Sequence, residues 1–140
     1  MLERLPIASR YHDAEILALR HDRRCAETVL WLLMVNDEER AIRFRGVRNM
    51  RATQFMTQNV ISRVLRSDAG DFSSDDINRW LVWVSSTEDG SLFITDVEIA
   101  EIAKQITAGD LRLVVFEPSW GLECVILQDG EIEEEGAAVG

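Results

Sequence analysis

The run "TVLWLLMV" (28–35) restricts the fold more than any other stretch of the chain. It is apolar at both phases of a two-residue alternation, so a strand made from it needs cover on both faces. Polar turn residues bound it, and it is far shorter than the roughly 20 residues of a membrane-spanning helix. It reads as a central strand, covered on both faces or lying beneath a helix.

Its neighbours extend the pattern. "AEILALRH" (14–21) reads as a strand that reaches the central run through a turn in "DRRCAE". "NDEER" (36–40) supplies a second, acidic turn. "AIRFRGV" (41–47) then alternates, with Ile42 and Phe44 on one face and Arg43 and Arg45 on the other. Gly46 sits where this alternation breaks, which marks a bulge or a close backbone approach. Three sequential strands with short turns make an antiparallel meander.

The stretch 49–67 reads as a loop followed by a strand over 59–66, where "NVISRVL" is rich in β-branched residues. Ser74 is a candidate N-cap, with Asp75 and Asp76 in the first turn, where the helix dipole favours anions. Ile77, Trp80, Leu81 and Val84 then share a helical face, although "RWLVWVSS" also fits a strand. "TEDG" (87–90) is a turn and "SLFI" (91–94) a short strand. Thr95 and Glu98 have capping-box spacing ahead of the stripe Ile99, Ile102, Ala103 and Ile106, which Gly109 ends. "LRLVVFE" (111–117) and "LECVILQ" (122–128) flank "PSWG" and close a hairpin. The expected fold is therefore α+β: a mostly antiparallel sheet, an N-terminal meander plus a C-terminal hairpin, covered by about two helices. Residues 1–128 form one domain, and 129–140 an acidic, frayed tail.

Charge is unevenly spread. Residues 1–66 carry a net of +4 and residues 67–140 a net of −14, giving the overall −10. Such asymmetry points to a charged partner or to pairing within the fold. Two cysteines, Cys25 and Cys124, make no disulfide framework in a chain of 140 residues, which fits a reducing cytoplasm. Neither has a metal-ligand companion at useful spacing, and no cofactor is expected. The N-terminus lacks a continuous apolar core, so no signal peptide is expected.

Several clusters invite chemistry. "YHDAE" (11–15) gathers His12, Asp13 and Glu15. In a strand, His12 would face away from both carboxylates, and His21, nine residues on, would lie roughly 30 Å distant. The segment is thus read as the entrance to the first strand, with a small enzyme or ligand site as the alternative. Arg40, Arg43, Arg45, Arg48 and Arg51 could meet phosphate, but Phe44 points to the opposite face and the chain is acidic. Pairing with the carboxylates of the second half is the preferred reading over nucleic-acid binding. Asp75, Asp76, Glu98 and Glu101 offer a surface for a basic protein, and Trp120, in the hairpin turn, offers an exposed indole anchor. Ser119 lies outside any nucleophile-elbow pattern, and no phosphate-binding glycine loop is present.

The early "HDAEI", "IRFRGV" before "QNVI", and the late "EPSWG" resemble a loose group of small bacterial cytosolic proteins. Some of these are immunity proteins of polymorphic-toxin or contact-dependent inhibition systems. The resemblance implies a non-enzymatic domain that binds a cognate, basic toxin and occludes its active site. It transfers no catalytic residues. A further alternative is a structural or regulatory domain that forms a homodimer through an edge strand.

Overall fold

The computed structural model describes residues 10–87, 89, 90, 92 and 94–136. Among the described residues, eight strands and two α-helices follow one another: β1 (Glu15–Asp22), β2 (Glu27–Leu33), β3 (Glu39–Phe44), β4 (Val47–Thr53), β5 (Val60–Arg66), α1 (Ser74–Val84), α2 (Asp96–Ala108), β6 (Arg112–Trp120), β7 (Glu123–Gln128) and β8 (Ile132–Gly136). The strands form one antiparallel sheet in the order β4-β7-β6-β5-β1-β2-β3-β8. The α+β class, the β1–β3 meander and the β6–β7 hairpin are as the sequence leads one to expect. No helix among the described residues is long and apolar enough to cross a membrane. The turn expected at 87–90 is closed by Gly90 N–H donating to the Thr87 carbonyl. The strand expected at 91–94 is reduced to a bridge between Ser86 and Leu92, with residues 91 and 93 outside the described set.

The sheet folds back on itself. β1 and β5 share a single register pair, Glu15 with Val60, and part beyond it. The inner faces of the two half-sheets then meet: Ile16, Leu30, Leu32, Ile42 and Phe44 pack with Ile61, Val64, Val114, Phe116, Cys124 and Ile126. Phe44 and Phe116 touch edge to face across this core, with ring centroids 5.9 Å apart. On the far side of β6 and β7, alternate residues Leu113, Val115, Val125 and Leu127 meet Trp80, Leu81 and Val84 of α1 and Ile99 and Ile106 of α2. The layers are half-sheet, half-sheet, helices.

This arrangement corrects one expectation. β6 and β7 are covered on both faces, whereas β2 is covered on one. Its Leu30 and Leu32 enter the core, while Trp31 stands between Ala18 and Ala41 on the outer face, and the helical layer packs elsewhere. Val29 is buried there nonetheless, with Arg20 and Arg43 opposite it on the two adjoining strands, where aliphatic stems can shield an apolar neighbour.

Three further expectations change. The strand expected through Val47 ends at Phe44, because Gly46 takes a left-handed φ of 64° and passes close to Gly130. A Cβ at Gly46 would lie 2.7 Å from the Gly130 nitrogen, so the close approach read from the sequence is present. The chain then forms β4, paired with β7 at the opposite edge of the sheet, where a loop was expected. The tail, expected to be frayed, is strand β8 as far as Gly136, with Glu133 opposite Arg43 and Glu135 opposite Ala41; 137–140 lie outside the described residues. Its carboxylates gain arginine partners in the meander, which offsets the cost of ordering them.

Both helices begin with capping boxes. In α1 the cap is Ser73 rather than Ser74: its Oγ accepts from Asp76 N–H at 3.1 Å, and Asp76 Oδ2 accepts from Ser73 N–H at 3.0 Å. In α2, Thr95 and Glu98 form the expected box. Each such cap contributes about 1 kcal/mol.

Candidate functional site

The segment Tyr11–Ala14 is a turn, not a strand entrance with alternating side chains. Asp13 has a φ of 66°, and Ala14 N–H donates to the Tyr11 carbonyl at 3.0 Å. Tyr11 enters the core. His12 and Asp13 therefore come together rather than facing apart, with His12 Nε2 3.5 Å from Asp13 Oδ2. Both side chains are about 60% exposed, at 60% and 62%, and water screens the pair. His12 Nδ1 lies 2.7 Å from the Ser62 carbonyl, a contact that anchors the turn to β5. Glu15 stands in β1, and His21 contacts Thr28 Oγ1 at 2.8 Å. Among the described residues no group of three or more His, Cys, Asp or Glu side chains is placed to hold a metal.

The arginines pair internally, as expected. Arg45 Nε donates to Glu133 at 2.8 Å and Arg43 Nε to Glu135 at 3.2 Å, while both reach Glu27 on β2. Arg48 meets Asp129 at 2.6 Å, and Arg63 meets Glu117. The charge asymmetry of the sequence is thus largely cancelled in space where β8 lies against β3.

The four acidic residues expected to face a partner are divided by the fold. Asp76 is held by the α1 cap and by Arg79 at 3.2 Å; hydrogen bonds from Ser73 keep its carboxyl below the usual range. Glu98 is held by the α2 cap. Asp75 and Glu101 remain solvent-exposed. Leu113 N–H donates to Ser67 Oγ, and Arg112 to Asp68, so the exit of α2 returns to the residues just before α1.

A different cluster is assembled instead. Leu17 (45% exposed), Phe55 (57%), Met56 (43%) and Trp120 (57%) lie where β1, the β4–β5 loop and the β6–β7 turn converge. Leu17, Phe55 and Met56 line one recess with Glu15 and Asn59. Trp120 is opposite Val60, which is itself opposite Glu15, so all three share the convex side of the β1–β5 seam. Asn59 makes the cluster rigid. Its Oδ1 accepts from Met56 N–H at 2.9 Å and Leu122 N–H at 3.0 Å, and its Nδ2 donates to the Met56 carbonyl. Glu117 and Glu123 flank the turn; burial, then repulsion from Glu117, raises the Glu123 carboxyl. The exposure expected of Trp120 is present, but Leu17, Phe55 and Met56 were not singled out. The available signal was two large apolar residues adjacent in a polar stretch, "TQFMTQN".

A second concavity, about 660 Å³, opens between the half-sheets beside β8, with Phe44, Phe116 and Glu134 in its lining. Oε1 of Glu134 accepts from Arg10, and the rest of that carboxylate is enclosed by the cleft. No family model, curated protein or solved structure matches the chain.

Proposed function

We propose that the chain is a non-enzymatic protein-binding domain whose partner is a basic protein, and that this partner is a cognate bacterial toxin, as the resemblance implies. The observation that carries the reading is the exposed apolar cluster of Leu17, Phe55 and Met56 in one recess, with exposed Trp120 on the neighbouring strand β6. Large apolar side chains held in place by Asn59 present area at low ordering cost, and aromatic anchors of this kind dominate binding energy. Exposed carboxylates at Asp75 and Glu101, on a chain of net charge −10, would speed encounter with a cation-rich surface. Occupation of the toxin's active site by this surface would block its substrate. The two free thiols fit a reducing, cytoplasmic setting.

The reading predicts a basic toxin domain encoded beside this chain's gene; the test is co-expression with it, followed by binding kinetics on the purified pair. Growth should be restored, and Trp120→Ala or Phe55→Ser should raise the dissociation rate about tenfold or more. Asp75→Lys and Glu101→Lys, which spare the helix caps, should slow association a few-fold at low salt. Undiminished toxicity with no measurable complex would overturn the reading.

A further inference from the structure

The half-sheets part beside β8 and leave a cleft of about 660 Å³. Apolar side chains form two walls, Ile42 and Phe44 on one and Val64, Val114 and Phe116 on the other, and seven charged residues complete the lining. One carboxylate among them is buried beside the apolar walls. Glu134 is opposite Ile42 in the β3–β8 register, hence on the inner face, and its side chain is only 8% exposed. Oε1 accepts from Arg10 and lies 3.5 Å from Arg40 Nε. Oε2 is buried and meets no donor.

Apart from Glu131, the other charged groups at the mouth have partners. Glu133 pairs with Arg45 and Glu135 with Arg43, while Arg66 and Arg112 both bind Asp68. A buried carboxylate oxygen without a donor destabilises the fold, and an occupant that brings one removes that cost. We propose that this cleft is a small-molecule site for an amphipathic amine. Its protonated amino head donates to Glu134 Oε2, and its apolar body lies along the wall formed by Ile42, Phe44, Val114 and Phe116. The volume falls within the roughly 300–1,000 Å³ of ligand sites. A cation offsets the desolvation of the carboxylate, which a neutral hydroxyl does less well. An anionic head would meet the carboxylates of Glu131 and Glu133 to Glu135, while Arg10, Arg66 and Arg112 of the same lining already hold carboxylate partners. The site faces the interior of the folded sheet and is independent of the convex patch assigned to a protein partner.

The test is an amide-resonance titration of the full chain with tryptamine, with octylamine and with indole-3-propionate, which swaps the head of tryptamine for an anion. Both amines should shift the Ile42, Phe44, Val114 and Ile132 resonances, and the acid should bind about tenfold or more weakly. Glu134→Gln, with an otherwise unchanged spectrum, should weaken tryptamine by about the same factor. Silence at the cleft with both amines, or equal affinity for amine and acid, overturns the proposal. The comparison of heads uses the native chain, so it decides the matter even if Glu134→Gln fails to fold.

Discussion

Asn59 Oδ1 accepts the Leu122 backbone N–H at 3.0 Å, joining the β4–β5 loop to the β6–β7 turn across 63 residues of sequence. The same oxygen accepts Met56 N–H at 2.9 Å, and the side chain is almost wholly buried. Asn59→Ala leaves the buried Leu122 N–H and the partly buried Met56 N–H without acceptors. The expected loss is roughly 2–4 kcal/mol in urea unfolding, with an unchanged slope. A loss below about 1 kcal/mol would mean that water replaces the amide and that the patch is not held by it.

Two glycines with nearly the same backbone separate strain from crowding. Gly109 ends α2 at φ 85°, and a Cβ there would meet nothing within 4 Å. Gly121 has φ 82°, but its Cβ would lie 2.5 Å from Asn59 Oδ1 and 2.6 Å from the Gln58 carbonyl. Gly109→Ala should cost about 1 kcal/mol, the left-handed penalty alone. Gly121→Ala should cost at least about 2 kcal/mol more, because backbone must move. Thermal unfolding of both variants compares them directly, and equal losses would show that the Asn59 loop is not tight against the turn.

Asp68 and Glu134 should give opposite pH signatures. Burial opposes ionisation of Asp68, but the hydrogen bonds and charges of Arg66 and Arg112 outweigh it, and its carboxyl sits below the usual range. A depressed carboxyl stabilises above its unfolded value, near 3.9, and loses that contribution as pH falls through the folded value. Asp68→Asn should therefore destabilise at pH 7, by ~1 kcal/mol for a partly exposed cluster, and have little effect at pH 2. Glu134 is raised, chiefly by burial, despite Arg10. Its favourable contribution is complete below the unfolded value, near 4.3, and vanishes as pH rises through the folded one. Glu134→Gln should be neutral or stabilising at pH 7 and lose that advantage in acid. Urea titrations across this range decide both cases, and profiles of the same sign would contradict the assignments.

How far the fold could be read from the chain depends on how each strand is covered. β6 and β7 alternate between two cores, so "LRLVVFE" and "ECVILQ" are apolar at both phases and easily recognised. β4 is an edge strand with Arg48 and Arg51 in it and no regular alternation, so its sequence, "VRNMRAT", reads as a loop. β8 is held by cross-strand charge rather than apolar periodicity; "IEEEG" looks like a solvated tail until Arg43 and Arg45 are placed beside it. The site follows the same logic. Trp120 is legible because it stands beside Gly121 where the hairpin reverses, although it is the last residue of β6 and not part of the turn, whereas its proximity to Leu17, Phe55 and Met56 depends on the folding of the sheet at the β1–β5 seam. That seam rests on one register pair and leaves no local mark. The acidic residues that seemed free to bind included two, Asp76 and Glu98, whose spacing from Ser73 and Thr95 makes them caps.

The two cysteines report on the packing of the half-sheets. Cys25 is exposed in the β1–β2 turn, whereas Cys124 is on the inner face of β7 in the core with Phe116 and Ile126. Burial pushes the Cys124 thiol up to about 12, so almost none of it is thiolate near neutral pH. A disulfide reagent added to the native protein should therefore titrate a single thiol, Cys25, quickly. Cys124 should react only through unfolding, at least about a thousandfold more slowly for a fold of ordinary stability. In guanidinium both should react at once. Cys25→Ser should abolish the fast phase and leave stability within about 0.5 kcal/mol of the parent, as for an exposed turn residue. Cys124→Ser should destabilise by roughly 1–3 kcal/mol, because the hydroxyl is placed among apolar side chains. Comparable native rates for the two thiols would mean that the inner face of β7 reaches solvent and that the half-sheets do not close over it.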